Sequence, residues 1–224
     1  MAKKKTVAAP VNEIDEAVKE STNFVETHKK ALVYGVSAIL LVLLLVLAVK
    51  QYYINPRSEK ADVALADAQQ LMNAGNFEAA LAGDSVHVGL LKVIDEYSCT
   101  NAANLAHLYA AQCHYQAQRY QEALDQLEDF SDCGDALVSP AAMMMKGDCF
   151  AALEQLDKAA KAFVKAAKRA DNNSISPICL QKAAQVYEKQ GDKKAALECY
   201  EMIKEKYLQS SLYSEVDKEI ERLK

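Results

Sequence analysis

The chain repeats itself at an offset of 36 to 37 residues, and that offset constrains its fold more than any other feature. Ser139-Pro140 recurs as Ser176-Pro177, 37 residues later. The same step carries Gly147 to Ala184, Phe150 to Tyr187, Ala159 to Ala196 and Phe163 to Tyr200. A step of 36 residues in the other direction reaches Ala111, His114, Ala123 and Leu127. Each copy reads small-x-x-aromatic (His114 fills that slot in one copy), then a small residue, then an aromatic or leucine four residues on. Self-similarity at such a period marks stacked supersecondary units, none of which buries its apolar face alone.

Composition says what the units are made of. The chain has only 7 Gly and 4 Pro, with abundant Ala, Leu, Lys, Glu and Gln, which favours helix. No alternating Val- or Ile-rich run predicts a strand. Each copy therefore predicts two antiparallel helices, with turns at Gln118-Arg119-Tyr120, Glu154-Gln155-Leu156 and Gly191-Asp192-Lys193. Ser139 and Ser176 are expected as N-caps, each with proline at the first helical position. The small residues let paired helices approach and the aromatics fill the space beside them. A further copy stands upstream, where Gly75-Asn76-Phe77-Glu78-Ala79-Ala80-Leu81 matches Gly191 to Leu197. Its second helix is expected to break at Gly83 and resume near Val86, running to about Tyr97 with Leu90, Leu91, Ile94 and Tyr97 buried. A last helix, about Leu212 to Leu223, has the charged face of a capping element.

A second feature precedes the repeats. Ala31 to Val49 contains no charge and no proline, with Lys29 and Lys30 before it and Lys50, Tyr52 and Tyr53 after it. At 1.5 Å per residue such a helix is about 28 Å long, close to the hydrocarbon thickness of a bilayer. A cleaved signal peptide is disfavoured, because about 30 residues precede the run and it exceeds the usual apolar core. An uncleaved span is expected, anchored by the tyrosines. Lys3, Lys4, Lys5 and the short tail favour a cytoplasmic N-terminus by the positive-inside rule, which would put the repeats outside the cytoplasm. Ala31 and Gly35 form a small-xxx-small pair that could seat another helix. Residues 1–11 are expected to be disordered, and a thinly amphipathic helix is open from Asn12.

The expected organisation is all-α: a tail over 1–28, a transmembrane helix over 29–53 and an α-solenoid over 54–224. The solenoid comprises about four helix pairs, at 57–97, 101–132, 139–172 and 176–208, and a cap at 211–224. Residues 1–50 carry +2 and the remainder −7, so nucleic acid is excluded as a partner for an acidic domain.

The small–aromatic pattern, with Ala123, Ala159 and Ala196 in the second helices, resembles the tetratricopeptide repeat. Units of 36–37 residues and the absence of Trp at the position held by His107, Met143 and Leu180 depart from that family. The architecture as a whole resembles the YfgM-type ancillary subunit of the SecYEG translocon. Three segments carry that resemblance to homologues of Bacteroidetes-like bacteria: Gly75–Leu81, Leu91-Lys92-Val93-Ile94-Asp95-Glu96-Tyr97 and Gly147-Asp148-Cys149-Phe150. It implies a single-pass protein of the bacterial inner membrane with a periplasmic repeat domain. It further implies partners among translocon subunits, periplasmic chaperones or exported clients, no catalytic residues and no cofactor. A scaffold subunit of another envelope complex, binding no client, is the alternative.

In such a stack the first helices line a concave face. Leu105, Leu108, Tyr109, Gln112, Tyr115, Met144, Met145, Asp148, Lys182 and Gln185 are expected there as a protein-binding groove. Flexible methionine and rigid tyrosine suit varied partners. The alternative is that these apolar side chains pack between units. The Lys and Asn of a carboxylate clamp are missing, since Leu108, Gln112, Ala141 and Met145 stand at such positions. Of the six cysteines, Cys113, Cys149 and Cys179 fall among core positions. Cys99 and Cys133 flank one helical hairpin, so a disulfide between them is geometrically open in an oxidising compartment. With no CxxC, no HExxH and no phosphate-cradling glycine loop, neither a metal site nor a catalytic constellation is expected.

Overall fold

The computed structural model describes residues 9–224, and their side chains from Thr27 onward except at Leu32. The described chain is helical, with one isolated bridge between Gly83 and Val88. The described chain divides between Pro56 and Arg57 into two compact units.

The first unit is the helix α1 (Ala9–Val49), followed by a π-helical turn over Lys50–Ile54. The helix anticipated from Asn12 lies within α1, which also takes in Ala9 to Val11; the disorder expected of the residues before Ala9 falls outside the described residues. Described side chains from Thr27 to Tyr53 are all exposed, including Ile39, Leu41 and Leu44. By length and composition this segment is able to cross a membrane, a property that signal sequences share.

The second unit holds ten helices. They are α2 (Asn55–Asn73), α3 (Phe77–Ala82), α4 (Leu90–Glu96), α5 (Asn101–Gln116), α6 (Tyr120–Asp129), α7 (Val138–Ala152), α8 (Leu156–Ala170), α9 (Ser176–Gln190), α10 (Lys193–Lys206) and α11 (Val216–Leu223). Four helix pairs, α2/α3, α5/α6, α7/α8 and α9/α10, share one turn geometry. Gly75, Gln118, Glu154 and Gly191 sit at φ of +79°, +60°, +56° and +80°. Their N–H groups donate to Met72, Tyr115, Ala151 and Glu188, while those of the following residues reach back to Leu71, His114, Phe150 and Tyr187. This is the Schellman termination, which satisfies the last carbonyls of each first helix. Glycine takes that conformation at no steric cost in the outer pairs, whereas Gln118 and Glu154 adopt it in the inner pairs.

Two expectations about helix starts are corrected. Ser139 and Ser176 are not N-caps: both lie inside their helices and are buried. Asp135 and Asn172, again 37 apart, accept the free N–H groups instead. Asp135 Oδ1 takes those of Leu137, at 2.7 Å, and Val138; Asn172 Oδ1 takes those of Ser174 and Ile175 at 2.9 and 2.8 Å. The serines tie the preceding loops down. Ser139 Oγ donates to Asp135 Oδ2 at 2.6 Å and accepts from Cys133 N–H at 2.9 Å. Ser176 Oγ donates to Ala167 O at 2.8 Å and accepts from Asn172 N–H at 3.0 Å.

The helix after Gly83 starts at Leu90, not Val86, because the Gly83–Val88 bridge and an Asp84-centred turn occupy the intervening residues. Asp84 Oδ1 accepts from Val86 and His87 N–H at 2.8 and 2.7 Å. In α4 the buried residues are Leu90 and Val93, while Leu91 is 43 % exposed. The final helix begins at Val216, since turns over 208–215 take up the chain anticipated as its first part.

The repeated positions form the core. Ala111, Gly147 and Ala184 are buried in the first helices, and Ala123, Ala159 and Ala196 are fully buried in the second ones. Leu127, Phe163 and Tyr200 fill the space between them. The apolar clusters hand over from helix to helix. α2 to α5 share one, α5 to α7 a second, and α8 to α11 a third, with Phe150 packing against both of the last two. Contacts between successive units also follow the repeat. Asp132–Arg169, Asp148–Lys182, Glu154–Lys189 and Glu188–Arg222 pair at 2.7, 2.6, 2.8 and 2.6 Å, and Tyr207 Oη donates to Asp171 at 3.2 Å.

Candidate functional site

Each Schellman turn fixes where a first helix ends, so side chains one repeat apart face the same way. Between consecutive first helices this leaves clefts. Gln69, Met72, Asn73, Phe77, Tyr109 and Gln112 line one of about 340 Å³ between α2 and α5. Another of about 270 Å³ lies between α7 and α9, lined by Asp148, Ala151, Leu156, Lys182, Gln185 and Lys189 among others. A third of about 230 Å³, between α9 and α11, is lined by Gln181, Gln185, Glu188, Tyr200, Glu219 and Arg222.

The anticipated groove residues divide. Leu108 is only 9 % exposed and belongs to the α5–α7 core, which corrects its placement on a surface. The register of α5 turns it toward α6 and α7. Leu105 and Tyr109 pack half-buried against the α2–α5 cluster, Met145 and Tyr115 against the α5–α7 cluster, and Met144 against the α8–α11 cluster. Tyr115 meets the Tyr120 ring edge-on at 5.2 Å. Burial, then the charge of Asp148, raises its phenol above the usual range. The apolar side chains thus mainly join the units, and the polar ones face the clefts.

Lys182 Nζ lies 2.6 Å from Asp148 and 5.6 Å from the Phe163 ring centre, so it bridges α7, α8 and α9. Glu188 accepts from Tyr200 Oη at 3.0 Å and from Arg222 at 2.6 Å. Burial, reinforced by that Glu188 bond, pushes the Tyr200 phenol far above its ordinary range. Gln181 and Glu188 stand where the first-helix register puts exposed positions, whereas Gln69, Asn73 and Arg222 are cleft residues that the sequence reasoning missed. The 34-residue step from Glu188 was the available signal for Arg222.

A larger cavity, about 670 Å³, lies where α5 starts and α6 ends. Cys99 and Cys133, between which a bridge is geometrically open, both line it as free, exposed thiols. Cys133 Sγ is engaged by Asn104, whose Nδ2 donates to it at 3.2 Å and to Ser131 O at 2.9 Å, while its Oδ1 accepts from Ser131 N–H at 2.8 Å. The other four cysteines are buried, and burial pushes their thiols up: to about 11 for Cys113 and Cys199, about 12 for Cys149 and Cys179. His107 Nδ1 lies 3.0 Å from Gln126 Oε1. Among the described residues no three or more His, Cys, Asp or Glu side chains form a group able to hold a metal ion.

Comparison with solved structures gives the fold a precedent. Two crystal structures of a Podosopora anserina protein assigned as a kinesin light chain, with nearly identical TPR-like repeats, superpose on 73 % of this chain. The first has 15 % identity and a TM-score of 0.57 over 85 % of its own chain; the second, a point variant of the same protein, has 13 %, 0.56 and 84 %. At such identity the likeness concerns the fold alone, an all-helical stack of TPR-like repeats. No curated protein matches the chain. One family model does match, over residues 25–215, and is described as "T7SS, ESX-1 secretion system protein EccA1, N-terminal domain". With that span covering most of its length, the chain belongs to the family of the EccA1 N-terminal domain, built here as a stack of TPR-like helix pairs.

Proposed function

We propose that this protein is a membrane-tethered module that binds other proteins and acts without catalysis. Its clefts would hold an extended segment of a partner chain. The observation that carries this reading is the row of carboxamides lining them: Gln69, Asn73 and Gln112 in one, Gln181 and Gln185 in another. A carboxamide both donates and accepts, so it pairs with a peptide backbone whatever the side chains are. Such a row suits clients of varied sequence better than the apolar groove anticipated from the methionines. The exposed aliphatic helix supports the tether. Membership in a family described by a secretion-system protein, and the resemblance to the YfgM-type subunit, support a place beside protein export. The repeats would then face the periplasm and assist exported chains or chaperones at the Sec translocon.

Photo-crosslinking amino acids at Gln112 and Gln185 of the full chain, in cells, test the proposal. Crosslinks to several exported proteins, chaperones or translocon subunits are expected. One stoichiometric partner of an envelope complex at both positions would favour the scaffold alternative. No crosslink at either position, with normal capture from a probe outside the clefts, would remove the cleft as the binding surface. A C-terminal reporter inaccessible from the periplasm would overturn the orientation.

A further inference from the structure

A different face of the repeat domain has an opposite character. Helix α8 carries Lys158, Lys161, Lys165, Lys168 and Arg169 against the single acid Asp157, in a chain whose net charge is −5. Three of these lysines, with Lys146 of α7, surround a cleft of about 330 Å³ whose other lining residues are Met143, Phe150 and Ala162. No carboxylate lines it, unlike the α7/α9 and α9/α11 clefts. None of the four lysines joins an ion pair among the described residues. Lys158 lies 5.4 Å from the Phe150 ring centre, poised over the cleft floor. Lys146 is half-buried, and burial, with Lys165 adding repulsion, holds its ammonium below the ordinary lysine range; Glu128 of α6 is the carboxylate that opposes this.

A solvated lysine face is common on amphipathic helices and alone says little. Here the lysines rim an apolar depression that no carboxylate lines, and none of them is ion-paired among the described residues. Lys158, Lys161 and Lys165 stand at i, i+3 and i+7, a stripe about 10 Å long on one face of α8. We propose that the α7/α8 cleft docks an acidic peptide segment of a partner protein. One aliphatic or aromatic side chain of that segment seats against Met143 and Phe150, and its carboxylates meet Lys146, Lys158, Lys161 and Lys165. This surface is separate from the carboxamide clefts and does not depend on them.

The test uses the full chain in neutral detergent and a fluorescent 16-residue probe peptide, with glutamates spaced to match the lysine stripe and one central leucine. Wild type is expected to bind it, and raising NaCl from about 50 to 300 mM is expected to weaken binding roughly tenfold as surface charges are screened. The double variant Lys161→Glu/Lys165→Glu, both at exposed positions, should lose at least about tenfold with an unchanged melting temperature. Lys193→Glu/Lys194→Glu on α10 should bind as wild type does. The proposal is overturned if wild type ignores the peptide, or if the Lys161/Lys165 variant binds equally. It is also overturned if a leucine-to-serine peptide binds as well, since the apolar floor would then be idle. Displacement by a 16-nucleotide oligothymidylate as effective as that by unlabelled peptide would reduce the site to a general polyanion patch. Crosslinking at Gln112 and Gln185 should be untouched by the lysine reversals, so either proposal can fail alone.

Discussion

Gly147 marks the tightest approach in the helix pairs. A β-carbon built there would lie 2.6 Å from two atoms of the Phe163 ring, which is 2 % exposed. Alanine would gain about 1 kcal/mol of helix propensity at this position, but overpacking a filled core costs about 1–3 kcal/mol. Gly147→Ala is therefore expected to destabilise the domain in urea unfolding. Gly147→Ala/Phe163→Leu should recover part of the loss, because Ala111 and Leu127 already form that pairing one unit earlier. Equal stability of Gly147→Ala and wild type would show that the helices separate at little cost. The cysteines give a second check at this scale. Burial keeps Cys113, Cys149, Cys179 and Cys199 protonated well above neutral pH, and the thiolate is the reactive form. Brief maleimide treatment of the folded protein should label Cys99 and Cys133 alone, and all six thiols should react in denaturant, as counted by mass spectrometry.

At the scale of the element, the start of α7 rests on Asp135. Its carboxylate is held down to about 2, first by the Ser139 hydroxyl and then by the backbone N–H groups of Leu137, Ser139 and Val138. A carboxyl depressed below its ordinary value of 3.8 stabilises the fold fully above about pH 4, and that contribution disappears as pH falls toward 2. Asp135→Ala should cost about 0.5–2 kcal/mol at pH 7, the usual range for a lost capping side chain. The difference from wild type should shrink progressively below pH 4. A pH-independent difference would show that the effect comes from packing, not from the charge. This cap also shows what the sequence could and could not disclose. The small and aromatic positions were legible because they must recur wherever helices meet, and Ala123, Ala159 and Ala196 indeed lie at 0 % exposure. Ser139 and Ser176 misled, because Ser-Pro at a helix start satisfies the capping rule equally whether the serine caps or lies inside. The caps, Asp135 and Asn172, stand four residues earlier in loops, where spacing carries little periodic signal. The cleft residues were harder still. Leu108 and Gln112 lie one helical turn apart on α5, yet the first packs inward and the second lines a cleft, a difference set by the neighbouring units.

The whole domain is a stack in which each unit touches its neighbours, so stability should divide along it rather than stand or fall as one. The C-terminal end shows the consequence. Val216 is fully buried against a cluster that includes Tyr200 and Ile203. Around it Lys204 pairs with Asp217 at 2.9 Å and Arg222 with Glu188 at 2.6 Å, joining α11 to α10 and α9. An aspartate at position 216 would place a carboxylate in that apolar contact with no cation provided for it, which costs several kcal/mol unless α11 detaches. Detachment is the cheaper outcome, because α11 is short and has only this face to lose. In Val216→Asp, hydrogen exchange should therefore quicken at least about tenfold in α10 and α9, the helices α11 covers, while α2 to α5 keep wild-type protection. Their apolar cluster shares no residue with the one that holds Val216, and the α5–α7 cluster lies between them. Uniform quickening from α2 to α10 would mean that the stack unfolds as a single cooperative body, and that its end cap governs every cleft at once.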